Sequence, residues 1–325
     1  MSQLQDRLVT VFGGSGFVGR YVVKHLAERG ARVRVAVRRP DEALFLKPMG
    51  VVGQIVPTPA NIRVETSVAA AVAGADAVVN LVAVLYERGR QSFEALHVRG
   101  AEVVARQAAA AGARHLVQVS SLSADANSPS AYGRSKAAGE AAVRAAFPAA
   151  TIMRPSLVFG AEDQFFNRFA GLARLAPALP LIAGGTAKFQ PVYVGDVAAA
   201  IVRALEDPAS AGKTYELGGP RVYSFAELLR LTLRETGRRR MLVPLPTAPA
   251  KVMAFFAELA SALSPLPMAP PLTRDQVTLL GLDNVVAPGA PGLGDLGIVP
   301  TAVEGVLPSY LFRFRRGGKT VPRFG

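Results

Sequence analysis

The chain has 325 residues, half of them hydrophobic and 19% charged, which suits one large domain or two and leaves too little charge for a disordered chain. It contains no cysteine, so disulfides, cysteine-ligated zinc, iron–sulfur clusters and thiol catalysis are excluded; three histidines, His25, His97 and His115, leave little room for a histidine-based metal site, and no metal is expected. Lys and Arg number 37 against 24 Asp and Glu, a net +13 that favours an anionic partner: nucleic acid, a phospholipid surface or a phosphorylated cofactor.

A first strand is expected at Leu8–Phe12, which leaves no room before it for a secretory or transit segment. Short β-branched runs at 33–37, 77–82, 115–119 and 151–153 alternate with Ala-rich amphipathic segments at 18–29, 92–111 and 132–146. This order predicts an α/β fold, a doubly wound parallel Rossmann sheet with right-handed crossovers. A run at 191–194 introduces a helix at 196–206. After about residue 240 prolines recur and the alternation stops, so the expected division is a dinucleotide-binding domain, 1–240, and a smaller C-terminal region, 241–325. That region holds one apolar helix near 248–263, which carries Lys251 and Glu258. It is shorter than the ~20 residues needed to cross a bilayer.

The segment VFGGSGFVG sets Gly13, Gly16 and Gly19 three apart, directly after a strand and opening a helix. The first glycine allows the tight turn, the second lets backbone approach a pyrophosphate, and the third lets the helix pack on the sheet. Phosphates would then sit on the free N–H groups of the helix start, along Gly13, Gly14, Ser15, Gly16, Phe17, Val18 and Gly19. A glycine-rich turn without ligand is the plainer alternative. An NAD site usually places an acid at the end of the second strand. Here that place holds Arg38 and Arg39, with Asp41 a weak substitute beyond Pro40. Guanidinium groups suit a 2′-phosphate, so NADP(H) is preferred over NAD(H), the alternative being two solvated strand-end arginines.

Tyr132 and Lys136 lie one turn apart at the start of the third helix. An ammonium beside the phenol lowers its pKa and holds the cofactor ribose, so the phenol can shuttle a proton. Ser121 or Ser123, in the preceding VSSLS, can hydrogen-bond a substrate carbonyl. With GGSGFVG, GADAVVNLVA, HLVQVSS, YGRSK, RPSLVFG and PVYVGDVA in this order over residues 8–202, the chain resembles the short-chain dehydrogenase/reductase superfamily in its extended or atypical branch. That resemblance implies that Leu81, Val82, Ala83 and Val84 lie on the adenosine side. It also implies that Val119 and Ser120 border the cofactor, and that Arg154, Pro155, Ser156, Leu157 and Val158 shape the nicotinamide loop. His97 stands where such reductases carry Asn and is expected on a helix face. No acid–base group besides Tyr132 stands out over 160–190.

One group within the branch is more similar still. RSKAAGEAAVRAAFPAATIMRPSLVFGAEDQFFNRFA, QPVYVGDVAAAIVRAL, LTRDQVTLL and GLGDLGI resemble the NADPH-binding accessory subunit of respiratory complex I, over nearly the whole chain. The resemblance implies NADPH held tightly without turnover, with Tyr132, Lys136 and Ser121 as cofactor-holding residues. It implies partners among the peripheral-arm subunits near the quinone site, on the cytoplasmic side of a bacterial inner membrane or the matrix side of its organellar equivalent. A free NADPH-dependent reductase or epimerase acting through Tyr132 is the alternative. Arg238, Arg239 and Arg240 form one basic cluster, and Arg313, Arg315, Arg316, Lys319 and Arg323 a second with no acid after Glu304. Beside an apolar segment these read as attraction to an anionic membrane surface or an acidic protein, or as a solvated tail. LFRFRR has the interleaving that stacks on single-stranded nucleic acid, but no nucleic-acid fold accompanies it and none is expected as partner.

Overall fold

The computed structural model describes residues 2–264 and 269–317. In chain order the elements are β1 (Leu8–Phe12), α1 (Phe17–Glu28), β2 (Arg32–Val37), β3 (Ile55–Pro59), α2 (Glu65–Val72), β4 (Ala77–Asn80), α3 (Gly100–Ala110), β5 (His115–Val119), α4 (Ala131–Ala146) and β6 (Thr151–Pro155). Then come β7 (Val158–Phe159), α5 (Phe166–Leu175), β8 (Ala178–Ile182), β9 (Lys188–Phe189), β10 (Val192–Tyr193), α6 (Val194–Glu206) and β11 (Thr214–Leu217). The last are β12 (Tyr223–Ser224), α7 (Phe225–Thr236), β13 (Met241–Leu245), α8 (Thr247–Leu263) and α9 (Arg274–Leu280), with short helical turns over 303–314.

The chain forms two interleaved compact units. The first takes in the residues up to Pro155, Val194–Leu217 and Ala287–Val299; the second takes in Ser156–Tyr193, Gly218–Val286 and the residues from Pro300 on. This differs from the expected boundary between 240 and 241. Residues 156–193 and 218–240 belong with the C-terminal region, and Ala287–Val299 returns to the first unit. There it is tied to β11, through Glu216 N–H to Pro291 O at 2.8 Å and Ala287 N–H to the Glu216 carboxylate at 2.8 Å.

The first unit holds a seven-stranded, wholly parallel sheet in the order β11-β6-β5-β4-β1-β2-β3, the expected Rossmann architecture. β1 is its middle. Val9, Thr10, Val11 and Phe12 are all buried, because helices cover both faces of a parallel sheet and the strand must be apolar on both sides. The one polar member, Thr10, donates its hydroxyl to Ala71 O at 2.9 Å. α1 packs against α6 and carries Val22, Val23 and Leu26, all completely buried and each worth roughly 1.5–3 kcal/mol. The ion pair Arg29–Glu206 closes the same contact, and Gly30, at φ +77°, turns the chain back toward β2.

Two departures from expectation have local causes. β3, with Pro57 and Pro59, was not anticipated; it forms because it is the sheet's edge, where a missing N–H costs no ladder bond. The helix expected over 92–111 begins instead as a π-helical turn, Glu94–Arg99, before α3 starts at Gly100.

The second unit is organised around phenylalanine. Phe165 meets Phe166, Phe169 and Phe225, and Phe169 meets Phe225, edge-to-face at ring separations of 5.1–5.9 Å, and Phe189 adds a further contact to Phe225. β8 and β13 pair in parallel, so strand does follow helix past residue 240, contrary to expectation. α7 begins with a reciprocal Ser224–Glu227 capping box and ends at Gly237 in the left-handed region. The carboxyl of Asp163 is buried and accepts from the Tyr310 hydroxyl and from the backbone N–H groups of Gly160 and Asn167. α8 is the expected apolar helix, yet it buries only Ala250 and Ala254 and leaves Val252, Met253, Phe255, Phe256 and Leu263 exposed. Among the described residues no helix is long and apolar enough to cross a membrane.

Candidate dinucleotide site

The turn after β1 is built so that only glycine fits. Gly13 adopts φ +77°, and Gly16 N–H returns to Gly13 O at 3.0 Å. A Cβ on Gly19 would lie 2.3 Å from Gly13 O and 2.6 Å from Gly14 Cα, so α1 approaches the turn more closely than any side chain allows. No side chain caps the start of α1 and no acid stands in its first turn, so its N–H groups and positive dipole end are left for an anion.

These residues open into a cavity of about 290 Å³ within the first unit. Its lining includes Gly13, Ser15 and Gly16 on the phosphate side and Leu81, Val82, Ala83 and Val84 after β4. Gly14, Phe17 and Val18 serve the turn and the helix start rather than the lining. Arg38 and Arg39 line the cavity. Arg39 is paired with Glu42 at 2.8 Å, which offsets its charge, whereas among the described residues Arg38 donates only to the neutral Gln91 Oε1 at 3.1 Å. Asp41 is not part of the lining. The segment Asn61, Ile62, Arg63 after β3 also lines the cavity and was missed from the sequence. Arg63 donates to Arg90 O at 3.2 Å, and no carboxylate pairs with it among the described residues.

α4 carries the other half of the site. Ser130 caps it by accepting from Gly133 N–H at 3.2 Å, which seats Tyr132 and Lys136 in the first turns, both buried. Lys136 Nζ donates to Val119 O at 2.9 Å. Burial pulls its pKa down to about 8, and the Glu140 carboxylate one turn on limits the fall. Glu140 is itself held by both nitrogens of an Arg154 fork, at 2.9 and 2.6 Å, with Glu216 3.7 Å from the same guanidinium. Arg154 is therefore spent on the carboxylates behind Lys136. Ser121 and Ser123 share a hydrogen bond of 2.8 Å between their hydroxyls. Ser120 Oγ is buried without a partner among the described residues, a polar atom left for a ligand to satisfy. Pro155 ends β6. Ser156, Leu157 and Val158 belong to the second unit, where the Ser156 hydroxyl lies 2.7 Å from Asn284 Oδ1, Leu157 O accepts from Val192 N–H, and Val158 pairs with Val192.

His97 is not on an exposed helix face. It is 3% exposed, stacked on Phe93 at 5.2 Å and edge-on to Tyr132 at 5.4 Å. Its Nε2 accepts Val84 N–H at 3.0 Å, so Nδ1 carries the proton and faces Ser135 Oγ at 2.9 Å, whose hydroxyl donates to Tyr132 O at 2.8 Å. Burial, with the Lys136 charge nearby, holds its pKa down at about 3. The π turn brings the His97 carbonyl so close to α4 that a Cβ on Gly139 would lie 2.1 Å from it. The glycine cradle, the uncapped helix, the orphaned Ser120 hydroxyl and the cationic mouth together fit a phosphate-bearing dinucleotide.

A parallel Rossmann sheet with a glycine turn after β1 and a Tyr–Lys pair on α4 defines a class of nicotinamide-dinucleotide proteins. The chain belongs to the NAD dependent epimerase/dehydratase family, whose sequence profile matches residues 9–218, and this membership implies a nicotinamide dinucleotide site. Within it the chain belongs with the mitochondrial NADH dehydrogenase (ubiquinone) 1 alpha subcomplex subunit 9 group. It is 42% identical to that protein of Arabidopsis thaliana, over all of this chain and 81% of the relative, and 36% identical to that of Mus musculus, over 93% and 79%. It is also 32% identical to the ceramide reductase of Caulobacter vibrioides, over 74% of each. Among solved structures, the dTDP-glucose 4,6-dehydratase DesIV of Streptomyces venezuelae with NAD and TYD bound shares the fold at TM-score 0.71, with 20% identity over 95% of this chain and 98% of that one.

Proposed function

We propose that the chain is an accessory subunit of NADH:ubiquinone oxidoreductase that holds NADP(H) as a structural cofactor. The observation that carries this is the reach of the likeness: identity to the Arabidopsis subunit spans the whole chain, including the residues beyond 218 where the family profile ends. In this reading Gly13–Gly19 cradle the pyrophosphate, while Arg38 and Arg63, cations at the cavity without carboxylate partners among the described residues, take the 2′-phosphate. Tyr132 and Lys136 hold the nicotinamide ribose, Ser120 supplies a further hydrogen bond, and Pro155 at the end of β6 borders the ring. The partners are peripheral-arm subunits near the quinone site. The exposed apolar face of α8 and the basic residues Arg313–Arg316 suit docking at an anionic membrane face, on the cytoplasmic side of a bacterial inner membrane or its organellar equivalent.

When bound and reduced, a nicotinamide cofactor supplies a hydride. A second reading, an NADPH-dependent reductase, is favoured by one observation: the Tyr132–Lys136 pair is complete, with Lys136 pulled down to about 8. There the Tyr132 hydroxyl gives a proton to the substrate oxygen, Lys136 steadies the phenolate, and Ser121 or Ser123 hydrogen-bonds the carbonyl. Substitution separates the two. Tyr132→Phe should leave assembly of the complex and quinone reduction nearly intact. Gly16→Val, placed at an ordinary φ of −74° but projecting into the phosphate approach, should impair assembly and cofactor retention. Loss of an NADPH-dependent reduction by the isolated protein on Tyr132→Phe would favour the enzyme and overturn the structural-cofactor reading.

A further inference from the structure

A second cavity, of about 260 Å³, lies in the second unit at the C-terminal end of α7 and is lined by Gly237, Arg238, Arg239, Arg240 and Arg316. Four of its five lining residues are arginines and none carries a carboxylate. Structure explains part of two of them: Arg238 Nε donates to Phe314 O at 3.0 Å and Arg240 Nε to Ala173 O at 2.9 Å. A guanidinium has five N–H donors, so most remain. Arg239 and Arg316 are exposed, and no ion pair reaches any of the four among the described residues. The nearest acid in sequence, Glu235, is paired with Arg234 at 3.2 Å and Arg315 at 3.9 Å. Partial desolvation, and then the charges of Arg240, Arg174 and Arg316, lower the pKa of Arg238, the mark of like charges held together without a counter-ion.

A helix C-terminus attracts cations, but one or two satisfy it, and here four converge on a single volume. A planar carboxylate offers two oxygens; a tetrahedral phosphate offers several, pointing in different directions, and takes forked donors from all sides. We propose that this arginine-lined cavity binds the phosphate group of a phospholipid headgroup or of a free phosphate. The cavity is separate from the glycine turn and does not depend on the role proposed above.

The test uses the full chain and two probes: inorganic phosphate by titration calorimetry, and co-sedimentation with vesicles of phosphatidylglycerol in phosphatidylcholine against phosphatidylcholine alone. The variant is Arg239→Gln with Arg316→Gln, since neither side chain holds backbone; Arg114→Gln with Arg203→Gln, both exposed and in the other unit, removes the same charge. Binding should weaken about tenfold or more in the cavity variant and stay near wild type in the control, two charge-assisted bonds being lost. Binding of phosphate alone assigns the site to a soluble phosphate, and binding to anionic vesicles assigns it to a headgroup; either supports the proposal. Absence of binding to both probes, or equal loss in both variants, overturns it.

Discussion

Acidification should expose the packing of His97 more cleanly than any deletion. In the native state burial against Phe93, Tyr132 and the nearby Lys136 holds its pKa at about 3, against 6.5 for the free side chain. Between those two values the unfolded chain binds a proton that the native state refuses, so this contribution to stability is fully present above 6.5 and is lost as pH falls toward 3. At about 1.4 kcal/mol per pH unit, the loss from about pH 7 to about pH 5 is about 2 kcal/mol. His97→Asn removes the titration and leaves every other ionisable group in place. At neutral pH it should be less stable by about 1–3 kcal/mol, having lost the stack on Phe93 and the bond to Ser135. At about pH 5 the gap between the two proteins should narrow by about 2 kcal/mol. Urea denaturation followed by far-ultraviolet circular dichroism at both pH values measures this, and His25 and His115 cancel because both proteins carry them. A gap that stays the same at the two pH values would refute the buried neutral imidazole.

The other expectations concern the cofactor and the second unit. Arg38→Asp should lower retention of NADP(H) relative to NAD(H) by about tenfold or more, read as the ratio of cofactors released on denaturation, since in the proposed site it replaces a cation with an anion against the 2′-phosphate; an unchanged ratio would overturn the role proposed for Arg38. Tyr310→Phe should cost about 1–3 kcal/mol in thermal unfolding, because the Asp163 carboxyl, which burial pushes up from its ordinary pKa, loses a hydroxyl donor. An unchanged melting temperature would show that the bond contributes nothing.

The parts of this protein that are local in sequence were legible there. A strand followed by three glycines at fixed spacing and a helix has one common structural solution, and the tight approach at Gly19 is the reason for it. The Tyr132–Lys136 pair needs only helical periodicity to be placed on one face. His97 stood out in the sequence, but its burial did not, because that depends on a π-helical turn over Glu94–Arg99, which no residue pattern announces, and on a glycine forty-two positions away, Gly139, that admits its backbone. Asn61, Ile62 and Arg63 follow a strand whose prolines disguise it, so their place at the cavity appears only with the sheet order. The division into units was equally hidden: the chain crosses between them five times, and the return of Ala287–Val299 to the first unit appears only in the folded chain. The basic run at 238–240 was visible as charge, but its partner Arg316 and the volume they enclose required the folded chain. Lys319 and Arg323 lie outside the described residues.

The central claim is membership of a respiratory assembly with NADP(H) held in place. Its most direct test is to tag the chain at its native locus, extract membranes in mild detergent, and isolate what accompanies it, with mass spectrometry of proteins and of nucleotides on the same sample. The account predicts co-purification with subunits of NADH:ubiquinone oxidoreductase at near-stoichiometric yield, together with retained NADP(H). A chain recovered alone and soluble at low salt, or within the complex but carrying NAD(H), would contradict it.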